Sequence, residues 1–299
     1  MKLTHLLAGT ALLGTVLTAP LCAAEPAAKR VANPFYAMDT AFRRAGLTTD
    51  QQLDLVKELG FSGIAWTEAP PEQVAATLLQ VEKRGLKMSA IYCAASVTPE
   101  GKLSHSPQLT RLMETLKGRG TLVWLHVGGK GPAFDKLTDD EPLVAGFRKL
   151  ADTAVANGLR LAVYPHVGEW TARFGDATRL ALVVKHPGFG VSFNLCHALA
   201  MGDEKKIPAL IEAAKPVLFT VTINGADAGV KKADWGRLIR PLGKGTFDNA
   251  PVLRKLAEIG FTGPVGFQGY GIPGDARSIL GPTMGAWRSL TEATAPGQP

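Results

Sequence analysis

The stretch Ala156-Asn157-Gly158-Leu159-Arg160-Leu161-Ala162-Val163-Tyr164 closes a helical segment on glycine and opens an apolar run on the next residue. Glycine suits that junction because the residue after a helix commonly takes a positive φ, which costs glycine no Cβ clash. The same junction recurs at Glu58-Leu59-Gly60 before 61–66, Lys83-Arg84-Gly85 before 86–92, and Gly118-Arg119-Gly120 before 121–126. It recurs again at Pro187-Gly188 before 189–194 and Glu258-Ile259-Gly260 before 261–268. Two further strand-like runs, 34–38 and 217–223, bring the count to eight. Between the runs, apolar residues such as Leu53, Val56 and Leu59, then Val74, Leu78 and Val81, keep helical spacing. Runs that are apolar throughout are buried on both faces, as in a parallel sheet. Eight alternating units in one domain over 25–299 predict an α/β fold of the (β/α)8 TIM-barrel type. No G-x-G-x-x-G follows the first run, which argues against a doubly wound dinucleotide fold.

The first 24 residues read as a secretory signal peptide. Lys2 precedes an apolar stretch from Leu6 to Leu21, and the small residues Ala23 and Ala24 offer a cleavage site, so an exported, periplasmic or secreted, mature chain is expected. Leu21 before Cys22 argues against a lipid anchor, which wants a small residue there. The later cysteines, Cys93 and Cys196, sit in apolar runs and read as buried thiols. The net charge of +7 is dispersed along helices among acidic residues, so no nucleic-acid surface is expected, and no later segment suits a membrane span. Oligomeric state is not legible in the sequence.

Barrels of this type carry their sites where the strands end. The residues there are nearly all polar: Asp39, Thr67 and Glu68, Tyr92, His126, Tyr164 and His166, Asn194 and His197, Asn224, Gln268 and Tyr270. Hydroxyl-rich ligands need directional partners and rings to stack on, so this set predicts a small-molecule sugar or glycoside as ligand. Duller readings exist for several members. Asp39 suits a turn cap, Glu68 a solvated carboxylate, and His126 a satisfied histidine beside the glycine-rich loop 128–131. His105 and His186 read as surface residues.

Val163-Tyr164-Pro165-His166, 190–197, Thr222-Ile223-Asn224-Gly225-Ala226-Asp227, 241–248 and Gly263-Pro264-Val265-Gly266-Phe267-Gln268 together resemble the sugar phosphate isomerase/epimerase superfamily. This is the xylose-isomerase-like TIM-barrel group that also contains endonuclease IV, and the similarity runs over essentially the whole mature chain. The resemblance implies a divalent metal held by a glutamate at the fifth strand, an Asp-x-x-His after the sixth, a histidine at the seventh and a glutamate at the eighth. Those places are here Tyr164, Asn194 with His197, Thr222 or Asn224, and Gln268. Neutral side chains replace the carboxylates that offset the desolvation of a hard cation. What remains for a metal is a weaker set of His166 and His197 with neutral oxygens and Glu169.

The resemblance and the polar ring together imply proton transfer next to a sugar carbonyl: isomerisation, epimerisation, or elimination or hydration in a 3-keto-glycoside. His166 or His197 is the expected base, Glu169 a second acid and Lys244 an electrostatic partner. Glu68, His126, Tyr164, Asn194, Asn224, Gln268 and Tyr270 are expected to bind the substrate. A non-catalytic sugar-binding barrel is the alternative, motivated by the missing carboxylates. An endonuclease activity lacks both its metal cluster and a basic face.

Overall fold

The computed structural model describes residues 33–43 and 46–294, so the leader read in 1–24 lies outside the described residues. The strands are β1 (Phe35–Met38), β2 (Gly63–Thr67), β3 (Lys87–Val97), β4 (Leu103–His105), β5 (Leu122–Gly129), β6 (Arg160–Val163), β7 (Phe189–Asn194), β8 (Leu218–Ile223) and β9 (Val265–Phe267). Eight of them pair in parallel, and the β1–β9 and β2–β3 pairings close the sheet on itself. The chain is a single (β/α)8 barrel. β4, which the periodicity does not announce, returns antiparallel along the extended end of β3 through a turn closed by Thr98 N–H on Lys102 O.

The glycine junctions explain why most strands begin later than the hydrophobic run. At Gly60, Gly85, Gly158 and Gly260 the glycine takes φ between 65° and 92°. The next residue then donates its N–H five residues back into the helix: Phe61 to Val56, Leu86 to Val81, Leu159 to Ala154 and Phe261 to Leu256. This is the Schellman closure, in which the first apolar residue after the helix folds back onto it. Gly188 departs from the expectation, because there Lys185 takes the left-handed conformation at φ 48° and ends the helix.

Side chains alternate across the barrel wall, as a two-residue period requires. Tyr36, Ala65, Ala90, Leu122, Trp124, Ala162 and Tyr164 pack together in the lumen, while Phe35, Ile64, Ile91, Val123 and Val163 face the helices. Bulky Tyr36, Trp124 and Tyr164 fill the lumen against alanines on neighbouring strands, so the barrel interior is solid. Cys93 and Cys196 are free, buried thiols. Among the described residues no helix is long and apolar enough to cross a membrane.

Candidate functional site

The inward register of each strand, continued past the lumen, ends in a cavity of about 390 Å³. Its floor is Tyr164 with Gln268, one side is His166 and His197, and Tyr92, Trp235 and Tyr270 supply rings. Met38, Thr40, Thr67 and Ile239 complete the lining, which among the described residues contains no carboxylate, lysine or arginine. Trp235 and Ile239 escape a strand-end reading because they come from the long loop after β8, where the short helix Trp235–Leu238 sets Trp235 edge-on to His197 at 5.3 Å. An aromatic residue inside a long loop was the sequence signal for Trp235.

Residue Val167 organises the two histidines. The Nδ1 of His166 lies 2.9 Å from Val167 O, and Val167 N–H donates to His197 Nδ1 at 3.2 Å. A carbonyl only accepts and an amide only donates, so His166 carries its proton on Nδ1 and His197, when neutral, on Nε2. His166 therefore has a free lone pair on Nε2, and His197 has an N–H there. Burial lowers the His166 pKa, and neighbouring His126 adds to the effect, against the pull of the Val167 bond and Glu169. Burial, with His166 second, pushes His197 down to about 3. His197 thus stays a neutral donor across the ordinary range of pH.

The floor is a second network. Gln268 Oε1 accepts from Tyr270 N–H at 3.0 Å and from the Thr40 hydroxyl at 2.9 Å, which turns Gln268 Nε2 onto the Tyr164 hydroxyl oxygen at 3.2 Å. Asn194 Oδ1 accepts from the Cys196 thiol at 3.1 Å, and Asn194 Nδ2 donates to the same Tyr164 oxygen. Burial pushes the Cys196 thiol up to about 12, so it remains a donor.

This network tests the metal that the fold family implies. The amide oxygens of Asn194 and Gln268 are engaged elsewhere, and two N–H donors converge on the Tyr164 oxygen instead. His197 Nδ1 is also occupied. Partial positive charge then faces the place of a cation, so these residues do not fit a divalent metal. Among the described residues no cluster of three or more His, Cys, Asp or Glu has metal-holding geometry.

The remaining expected residues fall into two groups. His126 stacks on Tyr92 at 4.7 Å between ring centroids, with its Nδ1 3.4 Å from Glu169 Oε1, so this pair sits one layer behind the cavity wall. Neither His126 nor Glu169 is among the residues that line the cavity. Glu68 and Asn224, expected to bind substrate, and Lys244, expected as an electrostatic partner, are not among the residues that line the cavity. Glu68 follows Thr67 and so has the outward parity; it receives the Gln108 side-chain amide at 3.2 Å. Asn224 is buried and donates to Gly225 O and Leu238 O, both at 2.7 Å, pinning the loop that carries Trp235. Lys244 is exposed on the following loop. Asp39, 2% exposed, accepts from both the N–H and the hydroxyl of Thr67 at 3.0 Å and joins the ends of β1 and β2. His105 and His186 are half-buried; His186 bridges Asp152 and the Gly188 N–H.

Solved structures share this architecture. The D-allulose 3-epimerase from Methylomonas sp. superposes with a TM-score of 0.67 at 16% identity, covering 89% of this chain and 100% of that one. The 3-keto-D-glucoside 4-epimerase from E. coli gives 0.65 at 16%, covering 86% and 99%. The IolI protein, solved with a zinc atom, gives 0.65 at 15%, covering 89% and 100%. At such identities the likeness establishes the fold alone. No sequence among curated proteins matches. The model of the xylose isomerase-like TIM barrel family matches residues 53–280, most of the chain. The closed parallel barrel and this match agree, and the chain belongs to the xylose isomerase-like TIM barrel family.

Proposed function

We propose that this protein is an exported enzyme that moves a proton on the carbon next to the carbonyl of an uncharged sugar or glycoside. The observation that carries the reading is the Val167 peptide, which holds His166 and His197 in opposite tautomers against one cavity. Enolisation needs a base for the carbon-bound proton and a donor for the oxygen that gains charge. His166 Nε2 supplies the first and His197 Nε2–H supplies a donor beside it. A lining without formal charge among the described residues favours a neutral polyol over a phosphosugar, and Tyr92, Trp235 and Tyr270 offer faces for the ring C–H groups. The epimerases of allulose and of 3-keto-glucoside with the same fold support an isomerase, epimerase or keto-glycoside lyase over other sugar chemistry. The leader read in 1–24 supports export. The donor arrangement on the cavity floor supports a reaction without a divalent metal at Tyr164, Asn194 and Gln268.

The test is solvent exchange in D2O, followed by NMR, with ketohexoses and 3-keto-glucosides. Deuterium entering next to the carbonyl, and doing so far more slowly with His166→Asn, is the expected outcome. The uncharged, ring-lined cavity also suits a sugar-binding barrel without catalysis. Saturable glycoside binding by calorimetry, with no exchange in any ketosugar, establishes that reading and sinks the enzymatic one.

A further inference from the structure

We propose that Tyr164 is the principal oxyanion donor of this site, its hydroxyl proton turned toward the substrate because two amides occupy the acceptor side of its oxygen. The inference rests on the proton-transfer reading above and adds a catalytic residue to it.

The argument is a count of donors and acceptors. A phenol hydroxyl has one proton to give and two acceptor positions. Gln268 Nε2 takes one position, and the orientation of that amide is fixed by a backbone N–H that can only donate, Tyr270 to Gln268 Oε1 at 3.0 Å. Asn194 Nδ2 takes the other, with Asn194 Oδ1 turned to the Cys196 thiol at 3.1 Å. Neither amide offers an oxygen to the phenol, so the Tyr164 proton has no acceptor in this network. Tyr164 lines the cavity together with Gln268, whose Nε2 reaches its hydroxyl, and His197 packs edge-on against the same ring at 5.9 Å. A buried proton without a partner is costly, and a ligand oxygen at this place relieves that cost.

Such a donor is suited to a developing negative charge. When His166 Nε2 removes the carbon-bound proton, the C–H electron pair becomes the new C=C bond and the carbonyl π pair moves onto oxygen. The Tyr164 O–H then donates a hydrogen bond to that oxygen. Two amide donors behind the phenol oxygen polarise the O–H further as the charge grows. Burial holds the phenol well above its ordinary pKa, so it remains protonated at the working pH. The convergence of N–H donors on the Tyr164 oxygen makes this hydroxyl an uncharged replacement for a cation in the same family of barrels.

The test uses the full chain and two measurements. The protein contains four tyrosines, so ¹³Cζ-tyrosine labelling gives few signals to assign. Titration with acetate, a small oxyanion, is expected to shift the Tyr164 signal, and acetamide, its neutral counterpart, to shift it much less. In the D2O exchange assay Tyr164→Phe, which removes one oxygen, is expected to lower kcat by roughly 10²–10³-fold with KM changed little. A Tyr164 signal indifferent to acetate, or exchange by Tyr164→Phe within about threefold of wild type, overturns the proposal. So does stoichiometric metal whose removal abolishes the acetate response. If acetate shifts Tyr164 while no ketosugar exchanges, the donor stands and the proton-transfer reading falls.

Discussion

The imidazoles of His166 and His197 lie 4.4 Å apart between ring centroids, inclined at 48°, and both engage Nδ1 with the backbone of Val167. One residue thus gives the pair a base and a donor on their outward nitrogens, a division that two unrestrained histidines would not keep. Replacing His166 by Asn is expected to lower exchange by roughly 10²–10⁴-fold with a modest effect on KM. For the wild type, kcat/KM is expected to fall on the acid side as His166 gains a proton, with a midpoint below the ordinary histidine value of 6.5, since burial lowers its pKa. A profile flat from pH 7 to pH 4 contradicts the assignment of His166 as base.

His197 makes a separate prediction about stability. Its pKa falls from 6.5 to about 3 in the folded protein, chiefly by burial. As pH drops below 6.5 the unfolded chain takes up a proton there and the folded chain does not. The stabilisation is therefore complete above pH 6.5 and is lost progressively down to the folded value near 3. The expected contribution to the loss between pH 7 and pH 4 is on the order of 3 kcal/mol. His197→Gln, whose Oε1 accepts the Val167 N–H without titrating, should lose less stability over that interval. Equal declines in denaturant melts of the two proteins would show that His197 is not kept neutral by the fold.

The barrel was legible because its punctuation is chemical: four glycines close four helices by the same pair of backbone bonds, and the strand runs follow. The site was legible where it continues the inward register, as at Tyr92, Tyr164 and Gln268. Glu68 and Asp39 lie off the cavity lining because each comes one residue after an inward position, and a single step reverses the side chain. Trp235 and the placement of His197 against it depend on how a loop folds back, held by Asn224 on Leu238 O. No periodicity records that closure. Lys244 depends on a loop in the same way, and that loop leaves it exposed.

Asp39 illustrates a strand-end carboxylate whose work is structural. It accepts from Thr67 N–H and Oγ1 and from Arg43 Nη1, each at 3.0 Å, and it is almost fully buried. Asp39→Ala leaves the Thr67 amide without its partner at the cavity edge. A loss of roughly 1–3 kcal/mol is expected, read as a lower denaturant midpoint at unchanged slope. Because Thr67 lines the cavity, KM should rise while kcat holds. A kcat that collapses with stability intact would instead place the carboxylate in the chemistry.

Tyr270 stands at the mouth of the cavity with 61% of its surface exposed, although large apolar surfaces are usually covered. Its backbone N–H fixes Gln268, and that bond survives any side-chain change. Tyr270→Ala therefore removes only the ring, leaving the floor network and the histidine pair in place. If the ring stacks on a sugar face, its loss costs about 0.5–1.5 kcal/mol of binding, roughly a two- to tenfold rise in KM. The effect should be larger for glycosides than for free ketohexoses, since a ring at the mouth meets the second unit while the reacting carbon sits near Tyr164. Equal KM changes for both substrate types would confine the ligand to the inner cavity and leave the exposed tyrosine without a role in recognition.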